Sequence, residues 1–174
     1  MQFVSHYNSP LGLITLSADH EGLTGLWLPG QPGEALLEKE QQHSEGGDSS
    51  NQVLEQAKDW LDAYFAGENP EVNVPLHLVG TPFQQVIWHY LLGIPYGSTV
   101  TYGALARRYA AEHHKSRMAA QAVGGAVGRN PLSIIVPCHR VVAKDGALTG
   151  YAGGIEKKAW LLEHEGFLKK SAGA

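Results

Sequence analysis

Residues 101–128, TYGALARRYAAEHHKSRMAAQAVGGAVG, read as two short helices around a polar turn. The spacing predicts helices over Thr101–Tyr109 and Ser116–Gly128, joined by His113-His114-Lys115, which is the order of a helix-turn-helix. Such pairs also occur in plain helical cores. What sets this pair apart is its second helix, where Ala119, Ala120, Ala122, Gly124, Gly125, Ala126 and Gly128 leave one surface almost without side chains. A helix that smooth can approach another backbone, or a groove, very closely.

Downstream, Asn130-Pro131 ends the second helix, because the residue before a proline is pushed out of the helical region. The apolar run Leu132–Val136 predicts a short buried strand that Pro137 terminates, with Cys138 directly after it. Val141–Leu148 predicts a hairpin around Lys144-Asp145-Gly146, followed by a glycine loop at Gly150–Gly154 and a closing helix over Ile155–Gly166. Upstream, Thr81 and Gln84 have capping-box spacing, Pro82 suits a first helical position, and Phe83, Val86, Ile87, Tyr90 and Leu91 form one apolar stripe that Gly93 and Pro95 stop.

The first half is organised differently. Phe3–Tyr7, Leu13–Ser17 and Leu23–Leu28 are β-prone stretches separated by turn residues, so a small antiparallel meander is expected. Pro29–Asn51 shifts to Gly, Glu, Gln and Ser and predicts a long surface loop with at most a short helix at Glu34–Gln41. Val53, Leu54, Ala57, Trp60, Leu61, Tyr64 and Phe65 then recur at helical spacing, and Leu76–Gly80 reads as a linker.

At 174 residues the chain is one domain or two small ones, and 43% hydrophobic with 17% charged residues excludes wholesale disorder, collagen-like chains and coiled coils. No apolar run approaches the roughly 20 residues that span a bilayer, and the N-terminus lacks the order of a signal peptide, so a cytoplasmic protein without membrane partners is expected. The net charge of −4 hides an asymmetry: residues 1–79 carry two Lys/Arg against twelve Asp/Glu, and residues 80–174 carry eleven against five. A basic half in a mildly acidic protein fits a segment that meets a polyanion.

One cysteine allows neither an intramolecular disulfide nor a thiolate metal cluster, so Cys138 is either inert filler or a reagent. His139 and Arg140 follow it, and neighbouring cations favour the thiolate, the form that attacks carbon. On an extended chain adjacent side chains point apart, so His139 reaches the sulfur only if the backbone turns there or a water bridges the two.

The words Gly80-Thr81-Pro82-Phe83-Gln84, Val123-Gly124-Gly125-Ala126, Asn130-Pro131, Ile135-Val136-Pro137-Cys138-His139-Arg140-Val141-Val142, Gly150-Tyr151-Ala152-Gly153-Gly154 and Trp160-Leu161-Leu162-Glu163-His164-Glu165-Gly166 stand here in one order. This closely resembles the O6-alkylguanine-DNA alkyltransferases, the methylated-DNA–protein-cysteine methyltransferases, from about Gly80 to Leu168. The resemblance implies an α+β fold: an α/β RNase H-like domain over residues 1–79, and a mainly helical, winged-helix-like domain with the helix-turn-helix over residues 80–174. It implies a monomer without cofactor or metal, acting on double-stranded DNA that contains alkylated guanine.

The implied reaction is single-use repair, in which the alkyl group moves irreversibly from O6-alkylguanine, and from O4-alkylthymine, to cysteine after the base is rotated out of the stack. A base inside a duplex cannot present its oxygen to a nucleophile, and a minor groove about 6 Å wide admits only a nearly bare helix unless it is widened. Carried over by position, Cys138 is the acceptor, His139 relays its proton through a water, Glu165 orients His139, and Tyr102 protonates the leaving guanine. Asn130 braces the helix against the cysteine loop, while Val141, Tyr151 and Ala152 contact the base. Arg117, Ala119, Gln121, Ala122, Gly125 and Arg129 meet DNA, with Arg107 a further phosphate contact, and Arg140 is structural. The sulfur is then expected at the floor of a cavity that opens toward the helical pair.

Two positions depart from the family pattern. Gln121 stands where many members have an arginine that fills the vacated stack, so extrusion is weaker or Arg117 or Arg129 substitutes. Ala152 stands where some have a serine, which leaves backbone N–H groups to meet the base oxygen. The rival readings are a base-flipping protein without an acceptor, which Cys138 argues against, and a cysteine hydrolase, for which no remote base or supporting motif stands in the chain.

Overall fold

The computed structural model describes residues 2–31, 33, 51–151 and 154–167. The short helix expected at Glu34–Gln41 and most of the surrounding loop lie outside the described residues, as does Ala152. The chain forms two compact units, one of residues 1–79 with 131–133 and one of residues 80–130 with 134–174.

In the first unit β1 (Phe3–Ser9), β2 (Gly12–Ala18) and β3 (Leu23–Trp27) form an antiparallel sheet in the order β1-β2-β3, the meander the turn residues predict. The register pairs Tyr7 with Ile14 and Leu16 with Leu26. Helix α1 (Gln52–Phe65) begins where the Asn51 side chain accepts the Val53 and Leu54 backbone N–H groups, and it buries Leu54, Ala57, Trp60, Leu61 and Tyr64. Ile14, Leu16, Leu23, Leu26, Leu54 and Leu61 are fully shielded, each side chain contributing about 1.5–3 kcal/mol by leaving water. Leu76 then bridges to Leu23 in parallel, so the expected linker is tied to the sheet for part of its length.

The second unit opens with α2 (Pro82–Leu92), whose start is the expected capping box: Thr81 Oγ1 accepts the Gln84 N–H at 3.2 Å and the Gln84 side chain accepts the Thr81 N–H at 3.0 Å. Thr81→Ala removes one of these bonds at an exposed position and is expected to cost about 1 kcal/mol, read as a lower urea midpoint at unchanged slope. β4 (Val100–Thr101) leads into α3 (Tyr102–Glu112), and α4 (Ala120–Gly128) completes the helix-turn-helix. α4 starts later than its composition suggests, with Ala119 as an N-cap that offers no side-chain acceptor. The Val123, Ala126 and Val127 side of α4 is buried, and the Trp88 indole N–H donates to Ala126 O at 2.8 Å.

The run Leu132–Val136 is buried throughout, as expected, but it is not a strand. Only Leu132 bridges, in parallel to Leu26, while Ile134 takes φ 72°, a left-handed conformation that a β-branched side chain rarely adopts. Pairing with Leu26 ends where the backbone leaves the extended region at Ile134. The hairpin expected after it reduces to its turn. Ala143 N–H donates to Ala147 O and Gly146 N–H to Ala143 O, whereas β5 (Val141–Val142) pairs in parallel with β4. Helix α5 (Ile155–His164) closes the unit. Among the described residues no helix is long and apolar enough to cross a membrane.

Candidate active site

The site is built around the segment that follows Pro137. Pro137 adopts φ −81° and ψ 66°, and the Cys138 N–H donates to Val136 O at 2.8 Å, an inverse γ-turn that proline's fixed φ favours. A single 3₁₀ turn, Cys138–Arg140, follows at once. The backbone therefore turns at the cysteine, although no hydrogen bond joins the His139 ring to the sulfur. Asn130, in the turn after α4, donates from Nδ2 to Val136 O at 2.8 Å, so the helix end is tied to the residue before Pro137.

His139, Arg140 and Glu165 form one buried polar network. Glu165, the C-cap of α5, accepts from His139 Nε2 at 2.6 Å and from Arg140 Nε at 2.7 Å and Nη2 at 3.1 Å. Arg140 Nη1 donates to Ile94 O at 2.7 Å, which supports its structural reading. Burial works to raise the Glu165 carboxyl, yet the bonds and charges of His139 and Arg140 outweigh it and hold the group at about 2. An ionised carboxylate only accepts, so the proton on that side of the ring is on His139 Nε2. Burial, foremost, keeps the imidazole neutral by pushing it below its ordinary value, against the pull of Glu165. Nδ1 is then a bare lone pair, and it is fully buried with no hydrogen-bond partner. The ring is thus oriented with its basic nitrogen unoccupied, one residue from the thiol.

Cys138 is a free thiol, 6% exposed. Burial pushes the thiol up, while hydrogen bonding from the Asn130 side chain, the charge of Lys158 and the N–H groups of Cys138 and His139 pull it down. At neutral pH the resting group is the thiol, and a base is needed to ionise it. Tyr102, the first residue of α3, donates its hydroxyl to Thr149 O at 3.1 Å, and its phenol is pushed up by burial and by the negative charge a Cys138 thiolate would carry.

A cavity of about 420 Å³ is lined by Tyr102, Ala120, Gln121, Gly124, Thr149 and Gly150. It lies beside α4, as expected, but Cys138 is not among its lining residues. Tyr102 is common to the cavity wall, where its phenol hydrogen-bonds Thr149 O, and to the thiol's electrostatic surroundings. Of the other expected base contacts, Val141 and Tyr151 are buried. Arg117, Ala119, Gln121, Ala122 and Arg129 are exposed, Gly125 is half-buried, and Arg107 is exposed on α3.

Sequence reasoning missed Lys158 and Thr149. Lys158 reads as half of a solvated Lys157-Lys158 pair, but it is fully buried and shares a face with Leu161, Leu162 and Glu165. The spacing i, i+3, i+4, i+7 is the signal that could have found it.

The family description "6-O-methylguanine DNA methyltransferase, ribonuclease-like domain" matches residues 3–78, and "6-O-methylguanine DNA methyltransferase, DNA binding domain" matches residues 82–167. A methylated-DNA–protein-cysteine methyltransferase of Mycobacterium tuberculosis is 46% identical over 165 residues, covering 92% of each chain. The chain belongs to the O6-methylguanine-DNA methyltransferase family. A second methyltransferase of this family, from Methanosarcina acetivorans, is 41% identical over 92% of this chain and 96% of its own. Among solved structures, the M. tuberculosis O6-methylguanine methyltransferase superposes with a TM-score of 0.77 at 40% identity, covering 98% of this chain and 96% of that one. The M. tuberculosis OGT in complex with DNA gives 0.72 at 44% identity, covering 92% and 90%. The α+β character of the methyltransferase fold, with a sheet in the first half and helices in the second, is that of this chain.

Proposed function

We propose that this methyltransferase repairs DNA by direct reversal, moving the alkyl group of O6-alkylguanine, and of O4-alkylthymine, onto Cys138. The observation that carries the reading is the turned Pro137-Cys138-His139 segment, with a neutral imidazole oriented by Glu165 and its basic Nδ1 left open. The thiol proton passes to His139 Nδ1 through a water. The thiolate attacks the alkyl carbon, a C–S bond forms, the C–O bond breaks, and the electron pair goes to the base oxygen and ring. Tyr102 gives its phenolic proton to the departing guanine, and the proton held on His139 returns the phenol to neutrality. The product is a thioether, a poor leaving group with no acyl carbon for water to attack, so each chain acts once.

The damaged base reaches the acceptor rotated out of the stack, through the cavity edged by Gln121 and Gly124, with Val141, Tyr151 and Ala152 at the base and Asn130 bracing the cysteine segment. α4 lies in the minor groove, where Ala119, Ala122 and Gly125 present little side chain, and Arg107, Arg117 and Arg129 meet phosphates. Ala122→Glu sets a bulky negative charge on that surface and is expected to weaken duplex binding on the order of tenfold, read by fluorescence anisotropy at fixed salt. An unchanged affinity would place the DNA elsewhere. We place the protein in the cytoplasm as a monomer, since a single reduced thiol and one DNA surface suffice for the reaction. Peptide mass spectrometry after incubation with an O6-methylguanine duplex tests the assignment: one added methyl on the Cys138 peptide is expected, and an unmodified peptide beside repaired DNA would refute it.

A further inference from the structure

Lys158 takes no part in the steps above, yet its ammonium is buried beside β5 and its charge acts on the acceptor thiol. It projects from α5, a helix whose buried face is otherwise Leu161 and Leu162, and none of its surface meets solvent. Nζ donates to Val141 O at 2.5 Å and to Thr149 O at 2.9 Å, and it lies 5.8 Å from the centroid of the Tyr102 ring. Thr149 O also accepts the Tyr102 hydroxyl, so one carbonyl joins the ammonium to the phenol at the cavity wall. Burying an ammonium is costly, and two carbonyls replace only part of its hydration, so a neighbouring negative charge is the partner its chemistry calls for.

We propose that Lys158 is a positioning residue of the acceptor site: its ammonium ties β5 to the segment at Thr149 and sets a positive charge near enough to Cys138 to favour the thiolate at the moment of transfer. The proposal rests on Cys138 being the acceptor and adds how that acceptor is ionised. His139 removes the proton, and Lys158 stabilises what remains. The ammonium contacts the two carbonyls and lies over the Tyr102 ring of α3, and its charge acts on Cys138 and His139 of the 3₁₀ turn; burial brings Lys158 itself down to about 8, with Cys138 working to raise it.

The single cysteine makes the test residue-specific. The rate of Cys138 alkylation by iodoacetamide, followed from pH 6 to 10, reports thiolate content without DNA. Failure of this test therefore leaves the DNA reading standing, and failure of methyl transfer from DNA leaves this test intact. Lys158→Met is expected to raise the apparent thiol pKa by about one unit and slow alkylation at pH 7.5 by about tenfold, and Lys158→Arg to restore most of both. A purely structural lysine would lower the rate in both variants without moving the profile, which would overturn the proposal. Lys158→Gln, which keeps a donor for the two carbonyls without the charge, is expected to move the profile upward as Lys158→Met does. A profile unmoved in Lys158→Gln overturns the proposal even if Lys158→Met fails to fold.

Discussion

Cys138→Ser is expected to abolish alkyl transfer, lowering the single-turnover rate by at least about 10³-fold, while binding to an O6-methylguanine duplex stays close to wild type. The hydroxyl occupies nearly the same space as the thiol in a site 6% exposed, so packing changes little. Its chemistry changes far more. A serine hydroxyl holds its proton much more tightly than a thiol, and a neutral His139 can ionise it only to a negligible extent. The DNA surface proposed on α4 lies on a different element, so the duplex should still bind. Quenched-flow transfer assays beside anisotropy titrations read both quantities. Transfer surviving the substitution would move the acceptor off Cys138, and binding lost with it would tie the sulfur to recognition instead of chemistry.

Glu165→Gln should have the second-largest effect, and it acts on stability and rate together. The carboxylate accepts three hydrogen bonds from His139 and Arg140, and the amide that replaces it is neutral and has a single acceptor oxygen. Arg140 then keeps its bond to Ile94 O but loses its counter-charge in a buried site, a change expected to cost roughly 3–5 kcal/mol. Transfer is expected to fall by about 10²–10⁴-fold, because His139 loses both its orientation and the charge that stabilises its protonated form. The pH dependence separates this from a generic loss of packing. The Glu165 carboxyl is lower in the folded chain than in the unfolded one, so its contribution is complete above the ordinary carboxylate range and disappears as the pH falls toward about 2. Wild-type stability should therefore decline with acid through that window while Glu165→Gln declines less, a difference that urea titrations at pH 3 to 7 would read. Parallel curves would show that Glu165 is not held ionised by its partners.

How much of this could be read from the chain depends on whether a feature is local. The Thr81–Gln84 box, the apolar stripe of α2 and the bare surface of α4 are set by residues three or four apart, and the structure reproduces them. The run Leu132–Val136 is readable as buried but not as a turn, since the left-handed φ of the β-branched Ile134 leaves no trace in the apolar pattern. The relation of Cys138 to His139 was open for the same reason: only a γ-turn at Pro137 followed by a 3₁₀ turn brings the chain round, and neither leaves a periodic trace. The carboxylate that orients His139 lies 26 residues away, and it was located by family resemblance and not by spacing. Lys158 was missed because a lysine beside another lysine reads as solvated. Its burial follows from a helical face that pairs it with Leu161, Leu162 and Glu165.

The central claim is that one sulfur takes one alkyl group for good. Mixing the protein with an excess of O6-methylguanine duplex and counting restored guanines over time tests it most directly. Restoration should stop when restored guanine equals protein, with every Cys138 methylated, and fresh substrate should not restart it. Guanine restored in multiples of the protein present, with Cys138 still a free thiol, would contradict the account.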